Sequence, residues 1–323
     1  MNKEPLLKVD NLKTHFNTAT GIVKAVDGVT FSLDSGQTLG IVGESGCGKS
    51  VTSSSIMRLL PKNGHIVEGS ILFEGKDIVK LSQKEMLQIR GNDISMIFQD
   101  PMTALDPVYT IGSQIMEVIN AHQKMSKAEA KEYAVKVLKM VGIPEAEKRL
   151  KSYPHEFSGG MRQRVIIAMA IACNPKLIIA DEPTTALDVT VQAQVLGLMK
   201  NLQKESNSSI ILVTHNLGVV WKMCDTVMVM YAGKTVEYAD VKMIYSDARH
   251  PYTWGLLKSM PKVTDDPNIP LASIPGTPPD LKLTGGSCNF HNRCKYCQEI
   301  CKNKCPEMKE VEPGHFVACS QVQ

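Results

Sequence analysis

A glycine-rich segment at residues 43–50 ends in a lysine and a hydroxyl residue, and this spacing suits the binding of phosphate groups. The segment reads GESGCGKS, follows an apolar stretch at residues 38–42 and precedes a helical pattern. Glycines let successive backbone N–H groups turn toward one anion, and a helix N-terminus adds partial positive charge. The sequence therefore predicts a nucleotide site, with the Lys49 ammonium on the outer phosphates and the Ser50 hydroxyl on Mg²⁺. The predicted nucleotide-binding residues here are Gly43, Glu44, Ser45, Gly46, Cys47, Gly48, Lys49, Ser50 and Val51.

Two acids follow a second apolar stretch, at residues 177–180. If this stretch is a parallel strand, Asp181 and Glu182 lie at its carboxyl edge, beside the phosphate loop. Asp181 is expected to hold Mg²⁺, directly or through water, and Glu182 to polarise an attacking water. His215 follows a third apolar stretch, at residues 210–213, and can contact a γ-phosphate at the same edge. These residues predict phosphoryl transfer to water, with Glu182 and His215 as catalytic residues.

A serine–glycine–glycine turn at residues 157–163 (FSGGMRQ) opens another helical stretch. Such a helix N-terminus can bind an anion. The same residues also suit an ordinary N-cap followed by a glycine turn, and the residues alone favour this second interpretation.

Cys47 occupies a variable position of the phosphate loop, where a small residue suffices. A thiol alkylator is nevertheless expected to block turnover from this position, and bound ATP is expected to slow the block.

Hydrophobic periodicity outlines the elements that must position these residues. Alternation over residues 6–33 predicts an antiparallel sheet with one face in water. The pattern is helical from residue 100 to about 172. The apolar stretches at 177–180 and 210–213 predict buried parallel strands, with a helix over residues 191–203 between them.

The composition changes past residue 247, where prolines become frequent and predict an extended linker or wrap, which is followed by a Cys-rich tail. The phosphate loop and the periodicity described above together predict the fold class. It is α/β, a P-loop NTPase core with an antiparallel β subdomain and a helical insertion at about 101–172. The predicted domains are residues 1–250 and a small Pro- and Cys-rich C-terminal extension, residues 251–323.

Bulk composition excludes several classes of protein. The 323 residues are 43% hydrophobic and 21% charged, as in soluble globular proteins. The longest strongly apolar stretch, residues 165–173, is far shorter than the ~18 residues of a membrane-spanning helix. The N-terminus lacks the apolar core of a secretory signal, so the chain is expected in the cytosol, with any membrane role exerted through a partner. A formal net charge of +3 does not point to nucleic acid.

The order of the motifs resembles that of the nucleotide-binding subunits of ABC transporters. The matching segments are the phosphate loop, the loop around Gln99 (residues 97–101), the turn at Ser158, the Asp181–Glu182 pair, the loop Ala186–Leu187–Asp188 and His215. One departure is the signature turn, which begins with Phe157 and has Met161 where the commonest family signature ends in glutamine. Since the phosphate contacts come from the serine and backbone amides, ATP hydrolysis should survive this change.

The resemblance also implies roles for individual residues. Two subunits would close head to tail, so that Ser158, Gly159 and Gly160 act on the ATP of the partner. Gln99 would ligate Mg²⁺ together with Ser50 and Asp181, and would link the site to the helical insertion. Asp188 would contribute to nucleotide binding. The aromatic ring of Phe16 would stack on adenine, although it also suits a packed residue of an edge strand.

The tail resembles that of the importer ATPases for oligopeptides, dipeptides and nickel. The matching motifs are residues 250–253 (HPYT), residues 274–279 (IPGTPP) and the pattern Cys288-x-Phe290-x-x-Arg293-Cys294. In that subfamily, cysteines spaced as here bind an iron–sulfur cluster, and the matching residues are Cys288, Cys294, Cys301 and Cys319.

Several states of the tail cysteines stay open. Soft thiolates suit either a [4Fe–4S] cluster or Zn²⁺. Cys294, Cys297, Cys301 and Cys305 also fall at helical spacing, which suits a packed row of reduced thiols.

The resemblance implies an ATP-hydrolysing subunit of an importer for oligopeptides or dipeptides. An importer of nickel or a metal chelate is the alternative. A soluble ABC ATPase is a third class, but the chain has one phosphate loop and no long coiled-coil insertion. The implied partners are two permeases, a second ATPase (a sibling rather than a second copy) and an extracytoplasmic solute-binding protein. The implied location is peripheral, on the cytoplasmic face of the membrane, with no nucleic-acid partner.

Overall fold

The structure is a computed structural model that describes residues 4–99, 104–185, 187–261 and 272–321. The chain clusters into two compact units. The first contains residues 1–34, 38–79 and 212–323, and the second contains residues 35–37 and 80–211. Since the C-terminal residues cluster with the region of the phosphate loop, the predicted division at residue 250 stays a prediction.

The described residues contain strands that belong to two sheets. These strands are β1 (Leu7–Thr18), β2 (Gly21–Leu33), β3 (Thr38–Val42), β4 (Gly64–Phe73), β5 (Lys76–Asp77), β6 (Ile94–Ile97), β7 (Leu177–Asp181), β8 (Ser209–Val213), β9 (Thr226–Tyr231), β10 (Lys234–Asp240), β11 (Lys309–Glu312) and β12 (His315–Val317).

Helices of very different length accompany these strands. They are α1 (Lys49–Ile56), α2 (Gln83–Ile89), α3 (Ile111–His122), α4 (Lys127–Met140), α5 (Ala146–Arg149), α6 (Gly159–Ile171), α7 (Val189–Ser206), α8 (Leu217–Met223), α9 (Val241–Asp247), α10 (Pro251–Lys258) and α11 (Glu299–Asn303). Short 3₁₀ turns cover Ile78–Lys80, Pro154–Glu156 and His291–Arg293. Within the described ranges, no helix combines the length and the apolar character needed to span a membrane.

In the first unit, an antiparallel sheet has the strand order β2-β1-β4-β5. Along β1 the residues alternate at first, with Leu7 and Val9 buried and Lys8 and Asp10 exposed. This is the pattern of a sheet with one face packed and one face in water. The antiparallel sheet predicted for residues 6–33 is confirmed.

The first unit also contains the strand order β11-β12-β10-β9-β3. Strand β9 runs parallel to β3, while β10 pairs antiparallel with both β9 and β12. Every residue of β3 is buried, as expected for a strand covered on both faces. The phosphate loop thus follows a strand that is firmly held in the core.

The second unit combines parallel strands with the predicted helical insertion. Strand β6 pairs with β7 in parallel register, Ile97 opposite Ala180. Helices α3 to α6 lie within the predicted 101–172, although residues 101–103 fall outside the described part. The helix predicted over 191–203 is longer, since Asp188 caps its N-terminus and Asn207, in the left-handed region, ends it.

The proline-rich segment contains a helix where an extended linker or wrap is predicted. Helix α10 begins at Pro251, which is tolerated because the first helical position needs no N–H donor, and His250 caps it. Strands β11 and β12 pair with each other, and β12 adds to β10. The prediction of an extended segment is therefore wrong for residues 251–258, whereas β11 and β12 lie in the Cys-rich tail, beyond the segment that it covered. It still describes residues 272–280, which form no helix or strand. Pro267 and Pro270 lie outside the described residues.

A buried carboxylate joins the tail to β10. Glu237 is fully buried, and its carboxylate accepts hydrogen bonds from the backbone N–H groups of Arg249 (2.6 Å) and His250 (3.1 Å). The Nε2 of His315, in β12, lies 2.8 Å from Oε1 of the same carboxylate. A buried polar group needs such hydrogen-bond partners to offset its desolvation.

Candidate nucleotide-binding and catalytic site

The backbone of the phosphate loop follows a path that only glycine allows at two positions. Gly43 has a φ of 152°, and a Cβ there would lie 2.2 Å from the carbonyl oxygen of Met230. Gly48 has a φ of 106°, and a Cβ there would lie 2.3 Å from the carbonyl oxygen of Ala25. Gly48 occupies the N-cap position of α1, so the loop leads directly into a helix N-terminus. This is the backbone expected of a phosphate site.

Lys49, the first residue of α1, is only 5% exposed. Its Nζ donates to the carbonyl oxygens of Gly43 (2.9 Å) and Glu44 (3.0 Å), which holds the ammonium over the loop. Ser45, Gly46 and Ser50 are exposed, while Glu44 and Val51 are half-buried. The loop therefore presents its cation and its serine hydroxyls on one short segment.

Cys47 packs inside the loop and is only 4% exposed. Its Sγ lies 3.9 Å from Nζ of Lys49. Burial raises the pKa of the Cys47 thiol, and the nearby Lys49 charge opposes this only in part. A buried, protonated thiol reacts slowly with alkylators.

In the second unit, Gln99 and Glu182 come together. Gln99 lies two residues past β6 and Glu182 lies one residue past β7, so the parallel pairing brings both to one sheet edge. The Gln99 Nε2 donates to Glu182 Oε2 at 3.0 Å, and Thr185 Oγ1 donates to the same oxygen at 2.8 Å. Asp181 ends β7 and is 6% exposed. The neighbours Asp100 and Pro101 fall outside the described residues.

The backbone at Glu182 is unusual, with a φ of 47°. Non-glycine residues in this left-handed region are uncommon and concentrate at functional sites. The turn aims the Glu182 carboxylate at Gln99 and Thr185. Its geometry suits a base that must hold one orientation.

His215 belongs to the first unit, as does the phosphate loop. The N–H of Thr214 donates to the carbonyl oxygen of Ile41 at 3.1 Å. Because Ile41 lies in β3, two residues before Gly43, this bond places the end of β8 beside the start of the phosphate loop. His215 follows directly and is exposed. Asn216 caps α8, and its own N–H donates to Thr214 Oγ1. The predicted emergence of His215 at the strand end agrees with this position.

The serine–glycine–glycine turn caps helix α6. Ser158 is the N-cap, and its Oγ accepts from the N–H of Met161 at 3.4 Å. Gly159 is exposed, and a Cβ at Gly160 would lie 2.6 Å from Val191 Cγ1. The N-cap interpretation is thus confirmed, and action on a partner's ATP stays a prediction.

Asp188 also acts as an N-cap. Its Oδ1 accepts from the N–H of Val191 at 2.9 Å, at the start of α7. A direct role in nucleotide binding stays a prediction. Ala186, of the same predicted loop, lies outside the described residues.

Phe16 lies on β1, opposite Gly64 of β4 and Val23 of β2. A Cβ at Gly64 would come within 2.6 Å of the Phe16 ring, so the ring covers this glycine. The ring is half-buried, which leaves part of it accessible. Stacking on adenine stays a prediction.

The tail cysteines are reduced and lie near one another. Burial, together with the weaker effect of the nearby Cys301, Cys319 and Cys294 thiols, raises the pKa of the Cys288 thiol to about 11. Burial also raises the pKa of the Cys294 thiol. Across the ranges that the structure describes, however, no group of three or more histidine, cysteine or acidic side chains could hold a metal ion.

Thr185, Tyr252 and Arg293 were not predicted as site residues. Thr185 bonds to the Glu182 carboxylate, and its position three residues later in a turn was the available signal. Tyr252 and Arg293 stood out only as members of tail motifs, yet both contact Glu44 of the phosphate loop. Their distance from it in sequence gave no signal of this contact.

Comparison with known proteins gives matches along the whole chain. A family model described as ABC transporter matches residues 26–185. A second model, described as the C-terminal region of oligopeptide/dipeptide transporters, matches residues 236–301. The oligopeptide transport ATP-binding protein OppD of Bacillus subtilis is 56% identical over 313 residues, 97% of this chain and 87% of that protein. The dipeptide transport ATP-binding protein DppD of Lactococcus lactis is 52% identical, over 98% of this chain and 90% of that protein.

Solved structures share the fold. A dimeric post-hydrolysis state of the ATP-binding cassette MJ0796, bound to ADP and Pi, matches with a TM-score of 0.65 and 28% identity, over 73% of this chain and 98% of that chain. The structure of cbiO1 from Clostridium perfringens, part of the ABC transporter complex cbiONQ, matches with the same TM-score and identity, over 76% of this chain and 92% of that chain. The predicted fold class is confirmed.

Proposed function

The chain belongs to the ABC transporter family, in its oligopeptide and dipeptide branch, and we propose that it is the ATP-binding and ATP-hydrolysing subunit that energises peptide import. One observation carries the catalytic part of the proposal. The Glu182 carboxylate, at the end of β7, accepts hydrogen bonds from Gln99 (3.0 Å) and Thr185 (2.8 Å), beside the buried Asp181. A carboxylate fixed in this way can orient a water for attack on a phosphate.

Each predicted residue has one role in the proposed reaction. The backbone amides of the phosphate loop and Lys49 bind the phosphates, and Glu182 polarises the water. His215 contacts the γ-phosphate. Ser158, Gly159 and Gly160 act on the ATP of a second subunit, and Phe16 stacks on adenine.

The residues predicted to hold Mg²⁺ fit this ion, because hydroxyl, carboxylate and amide oxygens are the ligands that it prefers. Ser50 is exposed on the first turn of α1, and Asp181 ends β7. The Gln99 nitrogen faces Glu182, which leaves the amide oxygen of Gln99 as a ligand. When bound, Mg²⁺ neutralises charge on the phosphates.

Two variants of the full chain test the proposal. Glu182→Gln keeps the shape of the side chain but removes the carboxylate, so we expect ATP binding to persist and hydrolysis to fall by ~100-fold or more. Lys49→Ala should weaken ATP binding by at least ~10-fold. Equilibrium ATP binding and phosphate release measure the two effects.

Glu147→Gln is the matched control, because the Glu147 carboxylate is exposed in the same unit and forms an ion pair with Lys139 at its surface. It should behave as the wild type. Undiminished hydrolysis by Glu182→Gln, or wild-type ATP binding by Lys49→Ala, would contradict the proposal.

The partners also belong to the proposal. Two permeases, a second ATPase related to this one and an extracytoplasmic solute-binding protein would complete the transporter at the cytoplasmic face of the membrane. The matched C-terminal region and the names of the relatives favour peptides over nickel as the solute. Peptide uptake by cells that carry Glu182→Gln should stop. If the same cells lost nickel uptake but kept peptide uptake, the choice of solute would be contradicted.

A metal at the tail cysteines, as a [4Fe–4S] cluster or Zn²⁺, is the least supported part of the proposal. The closeness of Cys301 and Cys319 to Cys288 and Cys294 supports it, since these neighbours contribute to the raised pKa of the Cys288 and Cys294 thiols. As placed in the described structure, however, the thiols do not fit a metal ion. Metal analysis of the purified chain distinguishes the three states. Iron with sulfide would indicate a cluster, and zinc alone would indicate a zinc site. The absence of both metals would indicate a row of reduced thiols.

A further inference from the structure

Arg293, in the tail, forms a bidentate ion pair with Glu44, the second residue of the phosphate loop. Its Nη1 lies 2.6 Å from Glu44 Oε2 and its Nη2 lies 2.9 Å from Oε1. The Arg293 side chain is 5% exposed and that of Glu44 is 28% exposed. Parallel hydrogen bonds of this kind fix both the charge and the orientation of a carboxylate.

The remaining donors of Arg293 tie it to the tail and to β9. The Nε donates to the carbonyl oxygen of Pro275 (2.9 Å), and Nη2 donates to that of Ile274 (3.1 Å). Nη1 donates to the Tyr231 hydroxyl at 3.2 Å. All five N–H donors of the guanidinium therefore have acceptors. The tail motif at residues 274–279 thus holds Arg293 in place.

Glu44 is held from its backbone as well. Its N–H donates to the Tyr252 hydroxyl at 2.8 Å, and its carbonyl oxygen accepts from Lys49 Nζ at 3.0 Å. Tyr252 is fully buried and packs against Phe290, with ring centroids 5.4 Å apart. Two of the tail motifs thus contact Glu44 directly, through Tyr252 and Arg293, and the third holds Arg293.

The charge of Glu44 is the reason that this contact matters. A carboxylate in a phosphate loop repels the phosphates that the loop must bind, and it can also pull Lys49 away from them. Arg293 neutralises this carboxylate and turns it toward the tail. We propose that Arg293 is a positioning residue that sets the ATP affinity of the phosphate loop by holding Glu44. This inference rests on the proposed ATP-binding function of the loop.

Substitutions in the full chain test the proposal through ATP affinity. Arg293→Gln leaves the Glu44 carboxylate without its cation, so the dissociation constant for ATP should rise ~10-fold. Arg293→Lys keeps the charge but loses the paired geometry, so a rise of ~3-fold is expected. Adding Glu44→Gln to Arg293→Gln removes the unpaired carboxylate and should bring affinity back to within ~3-fold of the wild type.

A steady-state measurement separates positioning from chemistry. Because Arg293 acts on the loop that binds ATP, KM for ATP should follow the dissociation constant, while kcat stays within ~2-fold of the wild type. Arg249→Gln is the matched control: Arg249 is another tail arginine, but its guanidinium pairs with Asp247 and Glu312. ATP affinity should not change in this variant.

Several outcomes would overturn the proposal. Wild-type affinity in Arg293→Gln would do so, as would equal losses in Arg293→Gln and Arg249→Gln. A double variant as weak as Arg293→Gln would show that Arg293 acts through folding alone. If Arg293→Gln does not fold, Arg293→Lys and the double variant decide the question by the same criteria. Failure of the wild type to bind ATP would refute the proposed function instead.

Discussion

The phosphate loop depends on single residues whose surroundings leave little room. The carbonyl oxygens of Met230 and Ala25 occupy the space that a Cβ would need at Gly43 and Gly48. Gly46 also has a positive φ, of 77°, but no atom of the described residues lies within 4 Å of a Cβ there. The three glycines are therefore required to different degrees, although the motif treats the first and last alike and leaves Gly46 variable.

This difference predicts unequal effects of alanine. Gly48→Ala should lower the free energy of unfolding by ~3 kcal/mol or more and abolish ATP binding, since strain and a backbone clash add together. Gly46→Ala has only the strain of the left-handed backbone, ~1 kcal/mol. Denaturant unfolding and ATP binding measure both variants. Equal effects at the two positions would contradict the loop geometry.

Cys47 gives a second prediction at the scale of one residue. Because burial raises its thiol pKa, we expect alkylation near neutral pH to be slow, to speed up as pH rises, and to slow further when ATP is bound. The block of turnover should follow the modification of this thiol. Mass spectrometry during iodoacetamide treatment measures the rate, and Cys47→Ala is the control that should keep its activity. Full activity after complete modification of Cys47 would count against its placement in the loop.

At the scale of elements, buried strands place the catalytic groups. The apolar stretches before residue 43 and before residue 181 are β3 and β7, as the sequence predicts. Parallel pairing of β6 with β7 brings Gln99 to Glu182. No feature of the sequence indicated the left-handed backbone at Glu182, because glycine and asparagine are the residues that adopt this conformation most readily.

The tail shows the limit of prediction from sequence. Prolines indicated an extended segment, but Pro251 stands where a helix can start. Arg293 and Glu44 are 249 positions apart, and local patterns carry no information about such a pair. The motif residues could be singled out, but their partners could not, because burial and long-range contacts decide them.

Helix α10 has a cap that should respond to pH. His250 is buried, its Nδ1 accepts from the N–H of Tyr252 at 3.1 Å, and burial lowers its pKa from 6.5 to about 3. Between these two pH values the His250 ring is therefore neutral in the folded state but protonated in the unfolded chain. Its stabilising effect is fully present above pH 6.5 and is lost as pH falls toward 3, by up to ~1.4 kcal/mol per pH unit.

His250→Asn tests this cap, because asparagine can accept the same hydrogen bond but does not titrate. The unfolding free energy of the wild type should fall more steeply with acid than that of the variant. Denaturant unfolding at several pH values measures the two slopes. Parallel curves would rule out His250 as the titrating group.

At the scale of the whole molecule, each compact unit carries part of the predicted machinery. The phosphate loop and His215 belong to the first unit, and Gln99, the acid pair and Ser158 belong to the second. The family resemblance adds that Ser158 serves the ATP of another subunit. Its position as an exposed N-cap leaves it accessible to one.

Action in trans predicts a separation between binding and assembly. With Glu182→Gln to prevent turnover, ATP should join this chain to its second ATPase. Adding Ser158→Arg should abolish the ATP-dependent dimer, because a bulky cation blocks the turn, but leave ATP binding by the monomer unchanged. Light scattering and equilibrium binding measure these effects.

Ser126→Arg, at the exposed N-cap of α4, is the control that should still dimerise. Weaker ATP binding by the Ser158→Arg monomer would indicate action in cis.

Glu237 limits how the molecule can be shortened. A chain that stopped after residue 250 would lose His315 and the whole of β12, so β10 would become an edge strand and the buried Glu237 carboxyl group would lose its histidine partner. Leaving a buried polar group without its hydrogen-bond partner costs ~1–3 kcal/mol, a sizeable share of the stability of an ordinary domain. A minimal cassette without the tail would therefore need an apolar side chain at position 237 before it could be as stable as the full chain.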